Sequence, residues 1–269
     1  MKRSFRGAAV AAAPLLIGSA AHAQSNYSAP RNAVVDASGA RSVEVEAAAG
    51  SLRVEGKPGL RQVQVTGTAR SSSQRILNQI RLIAERRGDV VFIKADMPDE
   101  DDRYYRDDYS AALDLVIEVP QGINADIADG SGEARVLNVG SLEMSDGSGS
   151  LSVIGAAGSV RITDGSGDLT IENVGGDVRV QDGSGDINAR NVTGSFIVET
   201  DGSGGIFATE VKGSVLVEND GSGSIEVNRV GKDLRVDSKG SGSIDYADVS
   251  GQVNIPSRHR DRGRHDYDR

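Results

Sequence analysis

The stretch TDGSGDLTIENVGGDVRVQDGSGDINA, Thr163 to Ala189, carries the tetrapeptide Asp-Gly-Ser-Gly twice, from Asp164 and from Asp182. The same four letters start at Asp129, Asp146, Asp201 and Asp220, and return as Lys-Gly-Ser-Gly from Lys239. Successive starts lie 17, 18, 18, 19, 19 and 19 residues apart. A fixed period near twenty is the signature of a solenoid, in which each repeat buries its apolar face only by stacking on its neighbours. Within one period the pattern is strand, corner, strand, corner. Leu169 and Ile171 alternate with polar residues, Val174 precedes the corner Gly175-Gly176, and Val178 and Val180 alternate again. Alternation with period two sends one set of side chains inward and the other outward. Ile187 and Ala189, Ile206 and Ala208, and Phe196 and Val198 repeat the inward set in the units that follow.

This reading predicts an all-β fold, a single-chain β-solenoid of seven coils with about 17–19 residues each, over residues 113–256. Residues 24–112 are off-period. RSVEVEAAAGSLRVEG and RQVQVTGTA alternate, and IRLIAERRGDVVFIKA reads as a hairpin about Arg87-Gly88-Asp89. This segment is expected to form an irregular β cap over the first coil, because an open solenoid end is a sheet edge that invites aggregation. It contains an acidic, tyrosine-rich loop at 97–110, and a solvated loop is the expectation there. Pro256 ends the last coil, and the Arg/Asp/His-rich segment 257–269 is expected to be a disordered tail.

Residues 1–23 have the layout of a signal peptide. Lys2, Arg3 and Arg6 precede an apolar run of small residues and leucines, and Ala21-His22-Ala23 fits the cleavage rule. The run is short for a bilayer span and no second one follows, so the expected product is exported and not integral to a membrane. Periplasm, cell surface and medium are all open to it.

Composition narrows the chemistry. The formal charge is −9, and removal of residues 1–23 takes away three basic residues, leaving 27 Lys and Arg against 39 Asp and Glu. Nucleic acid, which needs a basic footprint, is not an expected partner. The chain has no cysteine, and its histidines beyond residue 23 are His259 and His265, both near the end. Thiolate and histidine metal sites, cysteine nucleophiles and a Ser-His-Asp triad therefore lack their residues in the body of the repeat. No catalytic residue and no cofactor is assigned. A carbohydrate-active enzyme on a β-helix remains an alternative, but such sites are built on long loops, and these coils differ in length by only two residues.

Asp-Gly-Ser-Gly admits more than one reading. Calcium β-rolls repeat Gly-Gly-x-Gly-x-Asp-x-apolar-x, and Asp129, Asp146, Asp164, Asp182, Asp201 and Asp220 are the residues a calcium-binding alternative would use. Against it, Leu169 stands where that motif puts its aspartate. The favoured reading is a backbone corner. The carboxylate would accept hydrogen bonds from the turn's own amides, and the glycines would take positive φ. A charged bond of roughly 1.5–3 kcal/mol would exceed the repulsion of stacked carboxylates in water, about 0.9 kcal/mol per neighbour. Lys239 would relieve the end of the column. A phosphate loop is disfavoured, since strands and not helices follow the glycines.

The unit sGdl.i..v.Gdv.v.dgsG, preceded by IEVPQGINADIADGSGEARV from Ile117 to Val136, resembles the bacterial putative-adhesin family of β-strand-repeat proteins, over roughly residues 40–256. The resemblance implies an exported solenoid with a surface role and supplies no catalytic residues. Structural or adhesive work in the cell envelope is the functional expectation, with a surface component or a second copy as partner. One outward apolar break could serve it: Ile197 and Leu216 at matching positions of adjacent coils, with Phe207 outward nearby.

Overall fold

A computed structural model describes residues 27–98 and 109–256. The segments read as signal peptide and tail, and most of the tyrosine-rich loop, lie outside the described residues. The strands are β1 (Tyr27–Asp36), β2 (Ser42–Glu46), β3 (Leu52–Lys57), β4 (Gln62–Ser71), β5 (Arg81–Arg87), β6 (Val90–Asp96), β7 (Ala111–Pro120) and β8 (Asn124–Asp129). They continue as β9 (Ala134–Leu137), β10 (Leu142–Asp146), β11 (Leu151–Ile154), β12 (Val160–Asp164), β13 (Leu169–Val174), β14 (Val178–Asp182) and β15 (Ile187–Val192). The last are β16 (Phe196–Asp201), β17 (Ile206–Val211), β18 (Val215–Ser222), β19 (Ile225–Val230), β20 (Leu234–Ser241), β21 (Ile244–Val249) and β22 (Val253–Asn254). One short helix, α1 (Gln74–Leu77), lies between β4 and β5.

The expected all-β solenoid of about seven coils is what the chain forms. Odd-numbered strands from β9 to β21 pair in parallel in one sheet, sheet A, and even-numbered strands from β8 to β22 pair in parallel in a second, sheet B. Each Asp-Gly-Ser-Gly corner carries the chain from sheet B to sheet A, and each valine-containing corner carries it back. Register is strict. Leu169 pairs with Ile187 and Ile171 with Ala189 in sheet A, while Val178 pairs with Phe196 and Val180 with Val198 in sheet B. These side chains are at most 3% exposed and form one continuous core. A row of large apolar residues, each contributing roughly 1.5–3 kcal/mol on burial, stabilises a core only two side chains thick.

The second corner rests on a feature the valines hide. Asn138, Asn173 and Asn191 just before Val139, Val174 and Val192 adopt φ of 55°, 58° and 55°. Asparagine tolerates this left-handed region better than most residues. Gly155 takes the same place in another coil at φ 80°. Glu210 and Arg229 hold it at 62° and 57°, and they pair with each other at 3.1 Å, with Arg190 joining Glu210 at 3.5 Å.

The N-terminal region is irregular, but two of its strands extend the solenoid. β2 pairs in parallel with β8 and β6, and β3 with β9 and β7. Residues 42–57 therefore make a coil inserted between β6–β7 and β8–β9, out of sequence order. Its corner is Ala47-Ala48-Ala49-Gly50, and Ala49 bridges Ser131 of the next corner. Gly50 has φ 139°, against 134° for Gly132. The run is a degenerate Asp-Gly-Ser-Gly that keeps only its last glycine. Beyond it, β4 runs antiparallel to β7 and to β1, and β5 antiparallel to β6. α1 packs over this end with Ile76, Leu77 and Ile80 buried. Arg31 donates from Nε to Ile80 O at 2.8 Å and from Nη2 to Leu77 O at 2.9 Å, satisfying carbonyls at the helix end.

The opposite end differs. β21 and β22 are the edge strands of the two sheets. Inward alternation continues into them, yet Tyr246 is 49% and Val253 37% exposed, because among the described residues nothing stacks below the last coil.

Candidate functional site

Three outward or inward rows carry the polar chemistry of the repeat. The first is the aspartate column. In β8, β10, β12 and β14 the inward alternation runs on by one more step, as from Val178 and Val180 to Asp182. In β16 and β18 one extra residue intervenes, and a bulge restores Asp201 and Asp220 to the inward side. The six carboxylates of Asp129, Asp146, Asp164, Asp182, Asp201 and Asp220 therefore point into the prism and are 1–7% exposed. They are register partners in series, and Asp220 pairs with Lys239. This corrects the corner reading in one respect. The expected hydrogen bond from the turn's own amide is well formed at Asp129, whose Oδ1 accepts from Gly130 N at 3.0 Å. Both carboxylate oxygens of Asp146, Asp164, Asp182 and Asp201 are buried without a hydrogen-bond partner. The amides of the glycine and serine that follow only partly offset the loss of solvent. Burial pushes Asp129 and Asp182 up to about 6, and pushes Asp146 and Asp201 up to about 7 with help from the neighbouring carboxylates. Asp164 is raised by burial as well. Repulsion between carboxylates in water is the wrong reference for groups that have left water.

The column ends in a cation. Lys239 Nζ lies 3.0 Å from Asp220 Oδ2 and donates to Gly223 O at 2.6 Å and Ser241 O at 2.9 Å. Its side chain is 6% and that of Asp220 1% exposed, so the pair is a buried one. At the other end Ala47, whose amide donates to Ala128 O at 2.8 Å, stands where an aspartate would be.

The second row is a polar ladder at the start of each sheet-B strand. Ser141 N donates to Asn124 Oδ1 at 2.9 Å, Asp177 N to Ser159 Oγ at 3.3 Å, and Ser195 N to Asp177 Oδ1 at 2.8 Å. Ser214 N donates to Ser195 Oγ at 3.2 Å, and Gln252 N to Asp233 Oδ1 at 2.8 Å. Each side chain accepts from the next coil's backbone and so locks register. The signal was in the sequence: a serine or acid precedes the first inward residue of the second strands from Leu142 to Leu234, as in Gly-Ser-Phe196 and Gly-Asp-Val178.

The third row is the outer face of sheet B. Register places Glu44, Asp126, Glu143, Arg161, Arg179, Ile197, Leu216, Arg235 and Asn254 side by side. The face is segregated into acids, bases and two aliphatics. Arg161 and Arg179 converge on Glu199 Oε1 at 3.6 and 3.4 Å. The Gln181 amide, with those two guanidinium groups, holds Glu199 below the usual carboxylate range. A shallow depression of about 390 Å³ runs along this face between Asp126, Glu143, Arg161 and Arg179.

Ile197 and Leu216 are direct register partners and half-buried. Phe207 is not with them. It lies on β17 of sheet A, the opposite face, and its register partners are Asn188 and Glu226. Its ring covers Gly205, since a Cβ there would meet the ring edge at 2.4 Å. In other coils Asp168, Asp186 or Ser224 stands at that place, and the phenyl ring shields a strand that glycine leaves bare. Among the described residues no three His, Cys, Asp or Glu side chains converge on one point, and no helix is long and apolar enough to cross a membrane.

The fold and these rows define a two-sheet parallel β-solenoid with a buried acidic column. No family model and no curated protein matches the sequence. Among solved structures the chain is similar to a "putative lipid binding protein" from Parabacteroides distasonis, at 15% identity and TM-score 0.46, over 84% of this chain and 97% of that one. It is similar to a "putative adhesin" from Parabacteroides merdae, at 10% identity and TM-score 0.45, over 86% and 97%. A "putative cell adhesion protein" from Clostridium sporogenes aligns at 13% identity and TM-score 0.39, over 84% and 100%.

Proposed function

We propose that this chain is a non-enzymatic, exported β-solenoid that serves as a structural or adhesive module of the cell envelope or surface, making contact through the outer face of sheet B. The observation that carries the reading is the Ile197–Leu216 pair. It sits in the middle of a flat, register-locked face, bordered on one side by Arg179 and on the other by Arg235. Aliphatic residues flanked by arginines have the composition of a contact centre with a polar rim. Near-uniform coils favour a rigid face over a cleft, and the leader-like residues 1–23 favour export.

The test compares the wild-type chain with Ile197→Ser/Leu216→Ser in sedimentation velocity and in retention on envelope fractions of the cells that make it. Both substitutions are outward, so circular dichroism and melting should be nearly unchanged. Self-association or envelope retention should weaken by about tenfold or more, the equivalent of about 1.4 kcal/mol. Identical behaviour of the two proteins in both assays would remove this face from consideration.

A further inference from the structure

Six carboxylates stacked in register, mostly without hydrogen-bond donors, cannot all be ionised in a dry interior unless positive charge lies between them. One coil supplies such a charge itself. The Lys239 ammonium is seated against the Asp220 carboxylate and against two backbone carbonyls of the corners, Gly223 O and Ser241 O. The other coils have the same corner, with Gly204 and Ser222 or Gly185 and Ser203 in the matching places, and with an aspartate where Lys239 stands. There the ammonium is replaced by a second carboxylate, beside the matching backbone carbonyls and the amides of the corner.

We propose that the aspartate column is a binding site for hard, oxygen-ligated metal cations of calcium size, held between the carboxylates of successive coils. The spacing selects the size. Parallel register partners lie about 4.8 Å apart, so an ion midway between two stacked carboxylates is about 2.4 Å from each. That falls within the 2.3–2.6 Å of calcium–oxygen bonds and exceeds the 2.0–2.1 Å that magnesium demands. Each ion takes two carboxylates and the backbone carbonyls that hold the Lys239 ammonium in the last coil. Of the six carboxylates one is balanced by Lys239, and the remaining five correspond to about two divalent ions per chain. Ala47 closes the column at the N-terminal end. The proposal concerns the interior and is independent of the sheet-B contact face.

The test uses purified chain freed of metal with chelator. Equilibrium dialysis at pH 8 against CaCl2, MgCl2 or NaCl measures bound ion, and thermal melting measures its effect. Calcium should bind at about two per chain and raise the melting temperature by several degrees, and magnesium should do neither. At pH 5 protons should displace most of the calcium. Asp164→Asn/Asp182→Asn should lower bound calcium at least twofold, whereas Asp168→Asn/Asp177→Asn, which removes exposed acids, should leave it unchanged. If the buried double variant does not fold, the single Asp201→Asn carries the same comparison. No calcium bound at pH 8, equal binding of magnesium, or equal calcium on the buried and exposed variants would each overturn the proposal. In the first case the column holds protons instead.

Discussion

Gly185→Ala tests the corner most directly. Gly185 is the last residue of its tetrapeptide and has φ 137°, a region that side chains rarely enter. A Cβ built there falls 1.9 Å from Gly167 O and 2.5 Å from its carbonyl carbon, both backbone atoms of the preceding coil. Relief requires the coils to part by more than an ångström at a spacing of about 4.8 Å. That movement breaks Gly167 N to Ser184 O and Leu169 N to Asp186 O, both 2.8 Å, which tie the two coils together on either side of Gly185. Two bonds at about 1 kcal/mol each, backbone strain of about 1–3 kcal/mol and overpacking of about 1–3 kcal/mol sum to roughly 4–8 kcal/mol. This is comparable with the whole stability of many domains. Gly88→Ala is the control. Gly88 has φ 64° with open space around it, so strain of about 1–2 kcal/mol is the full cost. Urea titration of the three proteins by circular dichroism reads the difference as a shift in midpoint. If Gly185→Ala lies within about 1 kcal/mol of Gly88→Ala, the corners do not stack as described and the argument for the glycine column fails.

Two further outcomes are expected. Val178 is fully buried and Thr170 lies on the outer face of the same coil, so Val178→Asp should cost more than about 4 kcal/mol and Thr170→Asp under about 1 kcal/mol; similar midpoints in urea would reverse the inward and outward assignment. Asp182 is raised from 3.8 to about 6 by burial. A folded-state pKa above the unfolded one gives stability that is present below pH 4 and lost as pH rises through about 6. In metal-free buffer Asp182→Asn should therefore match wild type at pH 4 and exceed it at pH 8 by up to about 3 kcal/mol, the value of about two pKa units. A variant that gains nothing between those pH values would show that Asp182 is not desolvated.

Much of this protein was readable in its residues. Pitch, coil count and the inward rows follow from Asp-Gly-Ser-Gly every 17–19 residues and from alternation, because a stacked repeat must present the same face at the same step. Four of the inward aspartates were legible too, since Val178, Val180 and Asp182, like their counterparts at Asp129, Asp146 and Asp164, are consecutive members of one period-two series, whereas Asp201 and Asp220 lie one residue beyond that step and turn inward only through a bulge. The polar ladder and the left-handed asparagines each had a signal beside the second corner. Other features depended on which strands meet, and no local pattern encodes that. Ala47 to Gly50 became a corner only because β2 and β3 slot between strands far along the chain. Phe207 and Leu216 are nine residues apart in sequence and outward in both cases, yet a corner between them puts them on opposite faces. Periodicity reports whether a side chain points in or out of its own strand. Which sheet that strand joins, and what then lies beside it, is set by the stacking of distant segments, and the tertiary structure alone decides it.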